Sequence, residues 1–304
     1  LAAATPAYAA APVAVSGDVA VKYQHDKADG EPSLSGGVYT LRLKGEADLG
    51  GGWGLYARLG AQYAAKPAQA DYNLDAYGET EKSVAALDQF GLTYKNAQGE
   101  YKLGRQELGV GTTALLYSRA DSNIGKHAFV DGLTASGKVG VTDLALAIAR
   151  EDNAGGDDNK LYAIRGGFSP NERVNWGVTY GRYDDETSGG SNHWAVDGTY
   201  TQGKHSWTAE LAKSNRSSDN KAYAASWNYG VNDKTAVFVT AFRVETNADM
   251  GQQSDFDNGN RGVHYGVTHQ LSSVDSLEVT YKDQKVISSG QNNASFEAVW
   301  TRSF

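Results

Sequence analysis

Residues 53–63 read WGLYARLGAQY, and every second position is apolar or aromatic: Trp53, Leu55, Ala57, Leu59, Ala61 and Tyr63. Gly54, Tyr56, Arg58, Gly60 and Gln62 fall between them. Successive side chains of an extended strand point to opposite faces, so this spacing describes a strand with one apolar and one polar face, not a helix. The same split recurs. Tyr39, Leu41 and Leu43 alternate with Thr40, Arg42, Lys44, Glu46 and Asp48, while Ala236, Phe238, Thr240, Phe242 and Val244 stand against Arg243 and Glu245.

Carried through all 304 residues, the alternation predicts strands at 14–25, 37–48, 53–65, 83–95, 99–106, 127–138, 141–151, 160–169, 173–184, 191–202, 205–216, 219–230, 234–246, 261–271, 275–286 and 292–304. A soluble sandwich also alternates, with its inner faces apolar. The connections separate the two. Those after odd strands are long or polar, as in KPAQADYNLDAYGETEK, LGVGTTALLYSRADSNIGK and NADMGQQSDFDNGN; those after even strands are short, as in LGGG, AQG, PNE, GK and VND. An even strand number with long loops at one end and tight turns at the other describes a transmembrane antiparallel β-barrel, its turns in the periplasm. The expected fold class is therefore all-β, with about sixteen strands.

Composition agrees. No run of eighteen apolar residues occurs, which excludes a transmembrane helix. There is no Cys, so neither a disulfide framework nor a thiolate metal site is available. A net charge of -8 without a basic stripe argues against nucleic acid as a partner. The start, LAAATPAYAAAPVAV, differs from everything after it: Ala7-Tyr8-Ala9 has the small-x-small form of a secretory cleavage site. Residues 1–12 are expected to be a signal-peptide remnant or a disordered Ala/Pro segment, and 13–304 the barrel.

Tryptophan supplies an independent check. Trp53, Trp176, Trp207, Trp227 and Trp300 lie near a short turn or the C-terminus on the apolar parity, and only Trp194 is near a long loop. Indole prefers the bilayer interface, so these residues read as an aromatic girdle at the periplasmic rim, joined by Tyr94, Tyr101, Tyr200 and Tyr229.

The chain ends SFEAVWTRSF, with Phe296, Ala298 and Trp300 on the lipid parity and Phe304 last. Lipid cannot satisfy an open sheet edge, so this strand must pair with the first and close the cylinder. Here the chain resembles the general bacterial porins, whose chains commonly end in a lipid-facing strand with terminal Phe. Arg302 departs from that pattern, and at the interface its stem can snorkel.

With the apolar faces toward lipid, the polar parity lines a lumen wide enough for an aqueous channel. Arg42, Arg58 and Arg165 are expected near mid-height, with Lys44 just below Arg42, and Arg42 and Arg58 on adjacent strands predict a basic patch on one wall. The inward acids Asp18, Asp197, Glu210, Glu278 and Glu297 are scattered by comparison. The stretch YKLGRQELGVGTTALLYSRADSNIG contains Gly104-Arg105, which resembles the step at which general porins leave the strand before their third loop. The resemblance implies that this loop folds into the lumen and narrows it. Arg105 then lines the constriction together with Arg119 and Asp121 of the loop, Asp121 on the acidic side. Strict alternation puts Arg105 toward lipid, where an arginine at bilayer mid-depth is costly, and its inward placement requires a bulge at Gly104. Leu115, Leu116 and Tyr117 are expected to bury against the inner wall.

Other chemistry is poorly supported. GVGTTA lacks a surrounding βαβ unit, DNAGGDDN and DFDNGN lack the bidentate Glu of a calcium loop, and the six His are dispersed without an acid and nucleophile at a telling spacing. The expectation is an outer-membrane pore for passive diffusion of small hydrophilic solutes and ions, with no catalysis, cofactor or metal. Its partners are outer-membrane lipid or lipopolysaccharide and, by the resemblance, two further copies in a homotrimer. A substrate-specific channel for an anion or sugar, and a structural surface barrel with a plugged lumen, are the alternatives.

Overall fold

The computed structural model describes residues 12–156 and 158–304, so the N-terminal segment expected over 1–12, Pro12 apart, lies outside the described residues. Its strands are β1 (Val13–Ala28), β2 (Leu34–Gly50), β3 (Trp53–Ala64), β4 (Ser83–Lys95), β5 (Gly99–Gln106), β6 (Leu108–Val110), β7 (Tyr117–Arg119), β8 (Val130–Val139), β9 (Thr142–Glu151), β10 (Lys160–Asn171), β11 (Val174–Asp185), β12 (Gly189–Gln202), β13 (His205–Ser214), β14 (Lys221–Asn232), β15 (Thr235–Val244), β16 (Asn260–Gln270), β17 (Asp275–Val286) and β18 (Asn292–Ser303). All except β6 and β7 form one closed antiparallel barrel of sixteen strands, each beside its neighbour in sequence. β1 and β18 close it, in register from Asp18 opposite Ser303 to Ala28 opposite Asn293. The terminal Phe304 completes this seam, its backbone N–H and C=O each bonded to Gly17 at 3.0 Å. β6 and β7 form a small ribbon inside the loop 107–129.

The alternation in 53–63 becomes an in–out division. Trp53, Leu55, Leu59 and Tyr63 are between 43% and 48% exposed on the outer face, whereas Tyr56, Arg58 and Gln62 are 3–5% exposed inside. The connection lengths also divide as expected, with one exception: β11 and β12 join at the long-loop end through only 186–188.

On β15 the expected lipid face is the inner one. Ala236, Thr240 and Phe242 stand opposite inward Thr268, His264 and Gly262, and Phe242 and Val244 are fully buried. The outer face carries Val237, Val239 and Ala241, so both parities are apolar and period two alone cannot choose between them. The choice is made by what fills the barrel. Loop 107–129 crosses the lumen, and Leu115, Leu116 and Tyr117, all at 0% exposure, pack on small inward side chains of β9, β12, β13 and β14 such as Ala149, Ala195, Ala212 and Ala224. A second loop, 245–259, also folds inward and brings Met250 and Phe256 into the same cluster. The two loops are stitched by backbone bonds: Met250 N–H to Leu116 C=O at 2.8 Å, and Asp255 N–H to Ala114 C=O at 3.1 Å.

Candidate functional site

The loop 107–129 is anchored at both ends of its crossing. Near β3 and β4 the anchor is Arg58, and its main partner exists because of a bulge. Arg58 stands opposite Gln89, but Leu59 stands opposite Leu87, leaving Asp88 as an extra residue on β4. The bulge lets consecutive polar residues Asp88 and Gln89 both face inward. Asp88, at 0% exposure, accepts from Arg58 Nε and Nη2 at 2.8 and 2.9 Å and from the Gly125 N–H at 3.0 Å. Arg58 Nη1 donates to both the carboxylate and the carbonyl of Asp121 at 2.7 Å, and Nη2 donates to the Asn123 carbonyl at 2.8 Å. The guanidinium also lies 4.7 Å from the Phe129 ring centre.

The far anchor lies on β12 and β13. Thr112 Oγ1 donates to Asp197 at 2.6 Å, and the N–H and hydroxyl of Thr113 donate to Glu210 at 2.7 and 2.8 Å. Gly111 makes this approach possible: its φ is +97°, and a Cβ there would come within 2.1 Å of Glu210 Oε1. Between the anchors, burial raises the Tyr117 phenol well above its ordinary pKa, so it stays protonated and donates to Glu151 at 2.8 Å.

Between this loop and the wall formed by β1, β2 and β13–β18 lies an open space of about 810 Å³. The loop contributes Thr112, Thr113 and Ser122; the wall contributes Lys22, Arg42, His264, Glu278, Lys282 and Glu297; and Asp255 comes from the second inward loop. The cations are paired individually. Lys22 meets Asp71 at 2.7 Å, Arg42 meets Asp18 at 2.8 Å, and Lys282 meets Glu297 at 2.6 Å. Arg42 also donates to the Ser122 carbonyl at 3.2 Å, tying the loop to β2.

The seven residues expected at the constriction therefore separate. Arg42 lines this space, and Asp121 on the loop pairs with Arg58 at 2.7 Å. Arg58 itself is 3% exposed and covered by the loop it holds. Lys44 is half-exposed beside Glu46 at 2.9 Å, nearer the short turns. Arg165 pairs with Asp197 at the edge of a separate cavity of about 800 Å³ beneath the loop. Arg119, at the end of β7 within the loop, is partly buried, donating to the His127 carbonyl at 2.6 Å and lying 3.5 Å from Glu151.

Arg105 is on the outer face. β5 runs in unbroken register with β4 and β8 through Gly104, so the bulge needed to turn Arg105 inward is absent, and Arg105 shares the parity of exposed Leu103. It is not left bare toward lipid. Asp131 takes Nε and Nη2 at 2.9 and 2.8 Å, Asp152 takes a third bond, and the guanidinium lies 5.7 Å from the Phe90 ring centre. A paired arginine at the end of a strand does not carry the mid-bilayer cost that made the inward placement attractive.

Sequence reasoning missed Lys22, Asp71, Asp88 and Lys282. The signal for Asp88 was present in two consecutive polar residues interrupting the alternation of SVAALDQFGL. For Asp71, deep in the loop 65–82, no local pattern existed.

The expected aromatic girdle lies near the short turns. Trp53, Trp176 and Trp207 are 40–48% exposed on the outer face, and Trp227 and Trp300 share its parity. Neighbouring rings touch: Trp53 and Tyr94 at 4.7 Å, Phe168 and Trp176 at 4.7 Å, Tyr200 and Trp207 at 5.7 Å. Phe304 is 59% exposed at the end of the seam.

No curated protein matches the sequence significantly. Among solved structures, a triple mutant of the Rhodopseudomonas blastica porin superposes with a TM-score of 0.63 at 12% identity, covering 96% of this chain and 100% of the other. A loop-deletion mutant of OmpT, an outer membrane protein of Vibrio cholerae, gives a TM-score of 0.62 at 14% identity, with 96% and 99% covered. At such identities these likenesses establish the barrel fold. The family model described as Gram-negative porin matches residues 1–286. The chain thus belongs to the Gram-negative porins, outer-membrane channels for passive diffusion.

Proposed function

We propose that solutes pass between the loop 107–129 and the wall of β1, β2 and β13–β18, and that this constriction weakly prefers cations. The observation that carries the reading is the pairing of each wall cation with its own carboxylate, Lys22 with Asp71, Arg42 with Asp18 and Lys282 with Glu297. Glu278 and Asp255 add negative charge to the same lining without a salt-bridge partner among the described residues. A ring with more carboxylates than cations favours counter-charged ions. The open volume favours a diffusion pore over a plugged surface barrel. Channels rather than enzymes are what the family comprises, and the channel reading requires no catalytic group.

We further infer a homotrimer, with the wall of β1–β5 against the neighbouring copies. Its outer face carries Leu41, Leu43, Leu55, Leu59, Leu87 and Leu92, and Arg105 near its edge is already neutralised by Asp131 and Asp152. The aromatic girdle from Trp53 to Trp300, with Phe304, is assigned to the periplasmic interface.

Single-channel recording under a salt gradient tests the constriction. The expected reversal potential is that of a cation-preferring pore; Glu297→Gln moves it toward anions and Lys282→Gln moves it further toward cations. Anion preference in the wild type, or no change in either variant, places the filter elsewhere. The mass of the unheated complex in mild detergent tests the trimer.

A further inference from the structure

Beneath the loop 107–129, off the path proposed above, lies the cavity of about 800 Å³ that Arg165 borders. Its roof is β6, where Leu108 and Val110 are 7% and 4% exposed. Leu115, Leu116 and Tyr117 pack in the same cluster at 0%, so the roof belongs to a continuous apolar layer. At the other end the lining reaches Lys95 and Glu100, beside the short turn 96–98. The cavity is a side chamber, closed toward the long loops and open toward the short turns.

Two register rows form its wall. One runs Thr93, Lys102, Thr134, Ala147 and Ala163 across β4, β5, β8, β9 and β10. The next, nearer the short turns, runs from Ser136 through Ala145 and Arg165 to Thr179 on β11. In both, polar residues give way to alanine on β9, and these small side chains leave the space that the chamber occupies.

The charges of the lining are paired, with one exception. Glu46 has Lys44 at 2.9 Å, Glu100 has Lys95, and Arg165 has Asp197 at 2.5 Å. Lys102 has no salt-bridge partner among the described residues, and its ammonium lies 4.6 Å from the Tyr56 ring centre. Across the chamber Thr179 is 1% exposed, yet its hydroxyl has no hydrogen-bond partner among the described residues. A buried hydroxyl left unbonded is costly. β5 and β11 are four strand spacings apart, about 19 Å along the wall, a span that the inward reach of the Lys102 side chain shortens.

We propose that the chamber binds a small aromatic carboxylate with a polar substituent at its far end. The carboxylate sits on Lys102, the ring lies between Ala147, Ala163 and the apolar roof, and the substituent bonds Thr179. The unpaired ammonium selects an anion through a charge-assisted hydrogen bond. A ring against alanine and the Leu108–Val110 roof removes apolar surface from water, and the volume lies in the range of small-molecule sites. A cation would find no free carboxylate here, and a second negative charge would find no free cation, because Asp197 already holds Arg165.

The probe is 3-fluoro-4-hydroxybenzoate, titrated by fluorine NMR against the full chain in maltoside micelles. Saturable binding with a dissociation constant on the order of a millimolar is expected. The matching amide is expected to bind wild type roughly tenfold more weakly, and Lys102→Gln to weaken the acid to the same degree. Thr179→Val is expected to lose about threefold or more. Ala145→Phe fills the chamber and is expected to abolish binding, whereas Lys282→Gln on the channel wall leaves it unchanged. Heat-modifiable mobility on electrophoresis verifies that each variant is a folded barrel. Absence of saturable binding, or equal binding of acid and amide by wild type, overturns the proposal without recourse to any variant. So does undiminished binding in Lys102→Gln, Thr179→Val or Ala145→Phe, and so does a loss in Lys282→Gln, which would place the ligand in the channel.

Discussion

Replacing Arg58 with methionine keeps most of the side-chain volume and removes the charge. Asp88, at 0% exposure, then retains the Gly125 N–H but loses both guanidinium bonds. Breaking a buried pair from one side costs about 3–5 kcal/mol, because the remaining charge is uncompensated. Asp121 adds little: its side chain is 60% exposed and rehydrates, so its share is below about 1 kcal/mol. The predicted loss is therefore about 3–5 kcal/mol and is dominated by Asp88. Arg58→Met/Asp88→Leu leaves no buried charge, and it should recover all but about 1–2 kcal/mol. Guanidinium unfolding in detergent, followed by tryptophan fluorescence, measures both values. The conductance record should change in character more than in mean. Segment 120–126 loses its Arg58 bonds while Arg42, Asp71 and Asp88 still hold Ser122, Ile124 and Gly125 and the far end stays on Thr112 and Thr113, so the segment loosens and open-channel noise rises. A loss below about 1 kcal/mol in Arg58→Met, or no recovery in the double variant, would refute the assignment of Arg58 as the loop's anchor.

Gly111→Ala forces a side chain into the left-handed region and against Glu210. It should cost about 1–3 kcal/mol by unseating the Thr113–Glu210 bonds, read as a shift in the unfolding midpoint and an altered conductance. In the inward loop 245–259, burial pushes the Asp249 carboxyl up to about 6 from an ordinary 3.8, against bonds from the Ser254 N–H and Asn258 that favour its charged form. The folded loop thus binds the proton more tightly than the unfolded one. Its contribution is fully present below about pH 4 and is lost as pH rises through about 6, by roughly 3 kcal/mol in all. Hydrogen-exchange protection of the Ser254 amide should rise as pH falls from 7 to 5, and Asp249→Asn should remove that dependence.

Strand period, loop asymmetry and the aromatic ending are local properties. The barrel was legible from them because each side chain's parity fixes its face once one face is known, and WGLYARLGAQY leaves no doubt about its own. β15 shows where parity stops: with Phe238 and Phe242 on one face and Val237 and Val239 on the other, either could meet lipid, and the loop packed inside the barrel decides. Arg105 shows the converse. Alternation alone placed it correctly on the outer face, and the resemblance moved it inward because an unpaired arginine in lipid looked too costly. Asp131 and Asp152, distant in sequence, remove that cost.

The constriction depended on tertiary structure most of all. A patch of Arg42, Lys44 and Arg58 looks basic when read along two strands. In the barrel Asp18, Asp88 and Asp121 come from another strand, a bulge and a crossing loop to neutralise Arg42 and Arg58, while Lys22 and Lys282 arrive from β1 and β17 with acids of their own. Sequence by itself determined that a closed barrel would form, because the faces of a strand are set by neighbours two residues away. Only the tertiary structure decided which charges meet the pore, because ion pairing acts through space between segments that no sequence period relates.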